Sequence, residues 1–195
     1  VFASPSNHKY DTTDYYKVDP HFGSNEDLRI LVKEAHEKHI RVILDAVFNH
    51  TGTEFFAFAD LLKNQEKSEY QSWYHITCFP VREAADCYEC FFGFAGMPKL
   101  NTGNEKVQEY FLNVLEYWVR KVQVDGYRFD VIDEIDENFV LKIRDRLKRL
   151  NPELILIGET WAEGKRLLNG CEMDSIMNYS FRQAMLDFFA ERSIN

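Results

Sequence analysis

The chain has 195 residues, 45% hydrophobic and 15% aromatic, with a formal net charge of −9 from 32 acidic against 23 basic side chains. That length suits one domain with a real core. The acidic balance argues against nucleic acid, whose phosphates require clustered Lys and Arg, and no apolar run approaches the ~20 residues that span a bilayer.

Val1–Ala3 reads as the tail of a buried strand, followed by a polar, aromatic loop from Ser4 to Gly23. Ser24 caps a helix, with Asp27 as a short capping box; Leu28, Leu31, Val32 and Ala35 form its expected apolar face. Ile40–Val47 is a nearly continuous apolar run, the pattern of a parallel strand covered on both sides. Thr51 to Leu100 breaks the alternation: it is long, aromatic and without a clear period, as functional inserts are. Asn104 then caps a helix whose stripe is Val107, Tyr110, Phe111, Val114, Leu115, Trp118 and Val119. There follow a strand at Asp125–Val131, a helix at Glu137–Leu150 and a strand at Leu154–Gly158 behind Asn151-Pro152. A short helix at Gly164–Leu168, a brief strand at Ser175–Met177 and a last helix at Phe181–Arg192 complete the pattern.

This alternation predicts an α/β fold, a parallel sheet with covering helices. Five strand signals are too few to close an eight-stranded barrel, and a complete one needs nearer ~250 residues. Three segments follow: 1–50, an insert at 51–103, and 104–195. The opening VFASPS reads as the middle of a strand and its exit loop, so the natural N-terminus is expected to lie upstream. Cys87-Tyr-Glu-Cys90 has metal or redox spacing, but there is no second CxxC and no helix heading it. Cys78, Cys87, Cys90 and Cys171 are therefore expected to be ordinary thiols.

Three strand exits carry polar clusters: Asp45-Ala-Val-Phe-Asn49-His50, Arg128-Phe-Asp130 and Glu159-Thr-Trp161. Carboxyl groups at the C-terminal ends of neighbouring parallel strands converge on one face, where barrel enzymes work. Asp130 and Glu159 so placed are the minimal equipment for glycosidic cleavage. Arg128, two residues before Asp130, points to the same side of its strand and would hold that carboxylate ionised. Taken alone, these residues equally allow a purely structural ion pair.

The motifs DAVFNH, GYRFDVIDE and GETW resemble signature regions of the α-amylase family, glycoside hydrolase family 13. MPKLN at 97–101 is similar to its fifth short motif, and SPSNHKYDTTDYYKVDPHFG at 4–23 to the loop after the second barrel strand. SPSNHKYDT with MPKLN looks most like the neopullulanase, cyclomaltodextrinase and maltogenic amylase branch. The resemblance covers essentially the whole chain. It implies a partial (β/α)8 TIM barrel, roughly strands 2–6, with the long insert after strand 3. It also implies a fragment of a larger enzyme, because nothing here matches the family's third carboxylate or its flanking domains; the isolated chain is expected to be inactive.

On the same resemblance Asp130 is the nucleophile and Glu159 the general acid/base of a retaining hydrolysis of α-1,4-glucans or cyclodextrins, with α-1,6 cleavage and transglycosylation open. The alternative is a catalytically silent glycan- or partner-binding relative. His50 would hydrogen-bond the sugar undergoing cleavage, and Tyr10 would lie flat beneath it; structural histidine and loop packing are the competing readings. Trp161 would shield the acid or stack on sugar, with core packing as its alternative. Many relatives have an Asn-Glu or Lys-His pair where this chain has Asp133-Glu134, so Glu134 joins the candidate substrate contacts. Asp45 and Asn49 are expected to brace loops, Met97 to Asn101 to close the insert, and Phe91, Phe92 and Phe94 to form its core. No cofactor is required. Calcium stays open for the parent, since a full site needs about six or more oxygens. A homodimeric parent and a cytoplasmic location are the remaining expectations.

Overall fold

The computed structural model describes residues 1–190. Strand β1 (Phe2–Ala3) pairs antiparallel with β2 (Asp14–Val18), and helix α1 (Asn25–Glu37) leads to β3 (Ile43–Ala46). An insert containing α2 (Phe56–Asn64) follows, and α3 (Glu105–Val122) returns the chain to β4 (Gly126–Phe129). Helix α4 (Glu137–Leu150), β5 (Ile155–Gly158), β6 (Ser175–Ile176) and α5 (Tyr179–Phe189) complete the described residues. Strands β3, β4, β5 and β6 form one parallel sheet in chain order, the arrangement of a partial α/β barrel. The expected end of the last helix, at Arg192, lies outside the described residues.

The helices begin where their capping residues stand. Ser24 and Asp27 form the reciprocal capping box of α1, and Asn104 accepts from the Lys106 and Val107 amides at the head of α3. Helix α3 buries the expected stripe, with Val107, Phe111, Val114, Leu115 and Trp118 enclosed. These side chains meet Leu44, Tyr127, Phe129 and Leu156 from the sheet and Phe139, Ile143 and Leu147 from α4. At ~25 cal/mol per Å² of apolar surface this shared core is the main force holding the strands in register.

Three expectations are corrected. The loop at 4–23 contains β2, whose DYYKV pattern buries Tyr15 and Val18 while Asp14 and Lys17 face solvent. The insert contains α2, which buries Ala57, Phe58 and Leu61. Its period is masked in the sequence because Phe56, Leu62 and the buried residues spread apolar character around the helix, and Phe55 supplies no side-chain cap. On α1 only Val32 is buried, and Leu31 is 54% exposed, because α1 meets its neighbours α3 and β2 along a narrow line.

Tyr15 couples the first segment to the sheet. Fully buried, it donates its hydroxyl toward the Val47 and His50 carbonyls at 2.8 and 3.0 Å, fixing the chain as it leaves β3. Its ring meets Phe111 edge-on at 4.9 Å, a contact worth about 0.5–1.5 kcal/mol beyond its area. The insert is fastened to the same exit by an antiparallel bridge between His50 and Lys99 and by the Leu100 amide, which donates to the Asn49 carbonyl at 2.9 Å.

Candidate active site

Register decides which side chains meet. Asp45 of β3 lies opposite Arg128 of β4, and Phe129 lies opposite Gly158 of β5. Asp130 and Glu159 each stand one residue beyond these strands, with amides that continue the ladder to the Ala46 and Phe129 carbonyls. Neighbours at one level of a parallel ladder point to the same side, and so do residues two apart. Asp45, Arg128, Asp130 and Glu159 therefore share one face. Gly126 permits the strand spacing behind this alignment: a Cβ there would come within 2.0 Å of the Ile155 carbonyl oxygen.

Arg128 sits at the centre. Its Nη1 donates to Asp45 Oδ1 at 2.6 Å and to Asp130 Oδ1 at 2.7 Å, while Nη2 lies 2.9 Å from Glu159 Oε2. Glu159 also accepts the Val131 amide at 3.0 Å and the Tyr179 hydroxyl at 3.3 Å. Val131 supplies that amide from a left-handed conformation, φ +46°, which a β-branched side chain adopts only under constraint. Tyr10 donates to Asp45 Oδ2 at 3.0 Å.

Three carboxylates share this one guanidinium, so full ionisation leaves an excess of negative charge. Burial pushes Asp130 up to about 7, with Asp45 and Glu159 adding to the rise, although Arg128 pulls the other way. Here the expectation is corrected. Arg128 favours ionised Asp130, but removal from water is the larger effect. The Tyr10 hydroxyl is raised to about 12 by burial first and by Asp45 second.

His50, only 1% exposed, is lowered to about 4 by burial, which outweighs the opposing pull of the Tyr10 carbonyl and Asp11. The ring is therefore neutral near pH 7. Its Nδ1 faces Asn49 Nδ2 at 3.2 Å, the Phe91 ring stacks on it at 4.7 Å, and Nε2 completes no hydrogen bond. With the amide donating to Nδ1, the free proton resides on Nε2.

Asp130, Glu159 and Arg128 thus meet directly, and Tyr10 joins them through Asp45. Trp161 and Glu134 stand apart, on a recess of about 150 Å³ beside the cluster that Phe91, Phe92 and Lys99 also line. Trp161 is 52% exposed and stacks on Phe92 at 5.7 Å, so it is not core. Glu134 pairs with Lys99 at 2.7 Å, joining the β4 exit to the insert. Two further expectations are corrected. Phe92 and Phe94 are largely exposed, not a subdomain core, and Lys99 of MPKLN faces the recess as well as closing the insert.

Asp45 does more than brace a loop, since it holds both Arg128 and Tyr10. Tyr179 carried no sequence signal beyond its place at the start of α5. Asn49 leaves a buried carbonyl oxygen unpartnered, but the described residues contain no group of three or more His, Cys, Asp or Glu that could hold a metal ion. Nor is any helix among the described residues long and apolar enough to cross a membrane.

Known proteins resemble the chain over its whole length. The cyclomaltodextrinase of Thermoanaerobacter pseudethanolicus is 49% identical over 197 aligned residues, covering all of this chain and 34% of that protein. Neopullulanase 2 of Thermoactinomyces vulgaris is 45% identical, again over all of this chain and 34% of that protein. A solved cyclomaltodextrinase structure superposes with a TM-score of 0.93 at 45% identity, over 97% of this chain and 33% of that one. The chain spans about a third of the length of these relatives. The family described as "Alpha amylase, catalytic domain" matches residues 1–195. The chain belongs to the α-amylase family, glycoside hydrolase family 13, and lies within its catalytic domain.

Proposed function

We propose that the protein carrying this chain is a retaining α-glucan hydrolase in which Asp130 is the nucleophile and Glu159 the general acid/base. The observation that carries the reading is the shared guanidinium. Two nitrogens of Arg128 hold an oxygen of Asp130 and an oxygen of Glu159, so only two hydrogen bonds and one planar group separate the carboxylates. A retaining pair stands about 5–5.5 Å apart, close enough for one acid to attack the anomeric carbon while the other protonates the leaving oxygen.

The electrostatics set a condition on this division of labour. Burial and mutual repulsion keep a proton within the carboxylate cluster. Productive catalysis needs Asp130 ionised and Glu159 protonated when the sugar arrives; burial raises Asp130 and Arg128 bonds both carboxylates, so the bound sugar has to complete that distribution. Protonated Glu159 neutralises the departing oxygen as Asp130 forms the glycosyl ester. Glu159, now ionised, then takes a proton from the water that cleaves the ester. Tyr10 offers an aromatic face to the sugar, while the Nε2 of neutral His50 is enclosed beneath Phe91 and would reach the sugar only once that ring moves aside. Trp161, Glu134, Phe91 and Phe92 form the opposite rim, suited to the acceptor side. No step requires a metal or other cofactor.

The substrate assignment, α-1,4-glucans or cyclodextrins, rests on relatives named cyclomaltodextrinase and neopullulanase. The test is hydrolysis of a cyclodextrin and of maltotriose, followed by NMR of the first-formed anomer. Retention is expected, and Asp130→Asn or Glu159→Gln should each lower kcat by at least about 10³-fold with binding preserved. An inverted product, or near-normal turnover of either variant, overturns the roles. Sugar binding without turnover in the unmodified protein would instead establish a silent binding relative.

A further inference from the structure

The insert holds a pair of thiols that the hydrolytic site does not use. Cys78 Sγ donates to Cys87 Sγ at 2.7 Å, inside ordinary sulfur contact and approaching the ~2.05 Å of a bond. The backbone brings the two segments side by side. Ile76 and Tyr88 form an antiparallel bridge, the Thr77 amide donates to the Cys87 carbonyl at 2.9 Å, and the Glu89 amide to the His75 carbonyl at 2.9 Å. In that register Thr77 lies opposite Cys87 and Cys78 stands one residue beyond, so the two thiols meet diagonally where the paired segments end. Cys90 lies instead on the other edge, bridged to Pro98, so the CxxC spacing pairs nothing.

From this juxtaposition we infer that Cys78 and Cys87 constitute a reversible thiol–disulfide site, oxidised by low-molecular-weight disulfides such as oxidised glutathione. Cys78 is partly exposed and Cys87 fully buried, so Cys78 meets the oxidant. Its thiolate attacks one sulfur of the external disulfide and releases a thiolate; the Cys87 thiolate then attacks the Cys78 sulfur of the mixed disulfide and releases the second. The protein loses two electrons, the external disulfide gains them, and the two thiol protons go to the two leaving thiolates.

The bond would close the turn between the two cysteines. Tyr88, next in the chain, is buried and donates to the Ala95 carbonyl at 2.6 Å, while Phe91 and Phe92 line the recess with Glu134 and Trp161. Oxidation therefore clasps the base of the segment that carries the aromatic wall, and reduction loosens it.

Arg82 lies between the two cysteines, so trypsin separates them into peptides 68–82 and 83–99. The native protein is equilibrated in a glutathione buffer, quenched by alkylation, digested and mapped by fragmentation mass spectrometry. A Cys78–Cys87 cross-link between these peptides is expected. It should form at least about tenfold faster than in the urea-unfolded chain, persist in Cys90→Ser and revert with dithiothreitol. No cross-link, a Cys78–Cys90 link of equal abundance, or equal rates in native and unfolded protein would each overturn the inference.

Discussion

The strand exits and the insert line the same cleft by opposite means. At the exits a few charged groups are fixed by backbone ladder positions, and one guanidinium ties Asp45, Asp130 and Glu159 together. The insert has little regular structure and is held by interlocked rings, with Phe58 against Tyr74 and Tyr88 at 4.9 and 4.8 Å and Trp73 against Tyr70 at 5.2 Å. The exits obtain precision from register and accept buried charge as its cost. The insert obtains cohesion from apolar area and leaves Phe92 and Phe94 exposed. Chemistry and stability are thus housed in different parts of one wall.

The largest effect that would test this contrast is on turnover. Arg128→Leu removes the only cation that, among the described residues, is bonded to the carboxylates, and is expected to lower kcat about 10²–10⁴-fold, as loss of acid–base poise does. An ordinary kcat would mean that the arrangement does not depend on the guanidinium. The insert should respond in stability. Phe58→Ala, at a fully enclosed position, is expected to cost about 3–5 kcal/mol in denaturant unfolding. A cost below about 1 kcal/mol would show that the aromatic cluster does not hold the insert.

Two buried titrating groups sharpen the comparison because their signs differ. Asp130 is raised from 3.8 to about 7, so the folded state binds a proton that the unfolded chain has lost. The stability linked to that proton is present below pH 3.8 and lost as pH rises through about 7. Asp130→Asn should therefore stabilise the fold, on the order of 1–4 kcal/mol above pH 7, with the gain shrinking toward acid. His50 runs the other way: lowered from 6.5 to about 4, its contribution is present above pH 6.5 and lost as pH falls through about 4. His50→Gln should flatten the acid side of the stability profile. Thermal unfolding of both variants from pH 4 to 8 checks the signs, and a shift in the same direction for both would refute the burial argument.

The smallest effect belongs to the link between the two regions. Lys99 and Glu134 pair at 2.7 Å, but Glu134 is half exposed, so Lys99→Ala should cost less than about 1 kcal/mol in urea unfolding. A larger loss would mean that insert and strand exits are one mechanical unit.

The sequence alone determined the strand–helix alternation, the caps at Ser24 and Asn104, the α3 stripe and the candidate pair Asp130 and Glu159. These are local features, set by backbone hydrogen-bonding demands at helix ends and by apolar periodicity, which a linear string records. Helix α2 and strand β2 were hidden because apolar residues surround the one and a polar, turn-rich stretch encloses the other. Only the tertiary structure decided that Asp45 and Tyr179 join the carboxylates, that His50 lies beneath Phe91, and that Cys87 faces Cys78 rather than Cys90. Each of these depends on the register of strands or loop edges distant in the chain. The balance between burial and Arg128 at Asp130 depends likewise on how much water the surrounding elements exclude, and spacing along a sequence does not encode it.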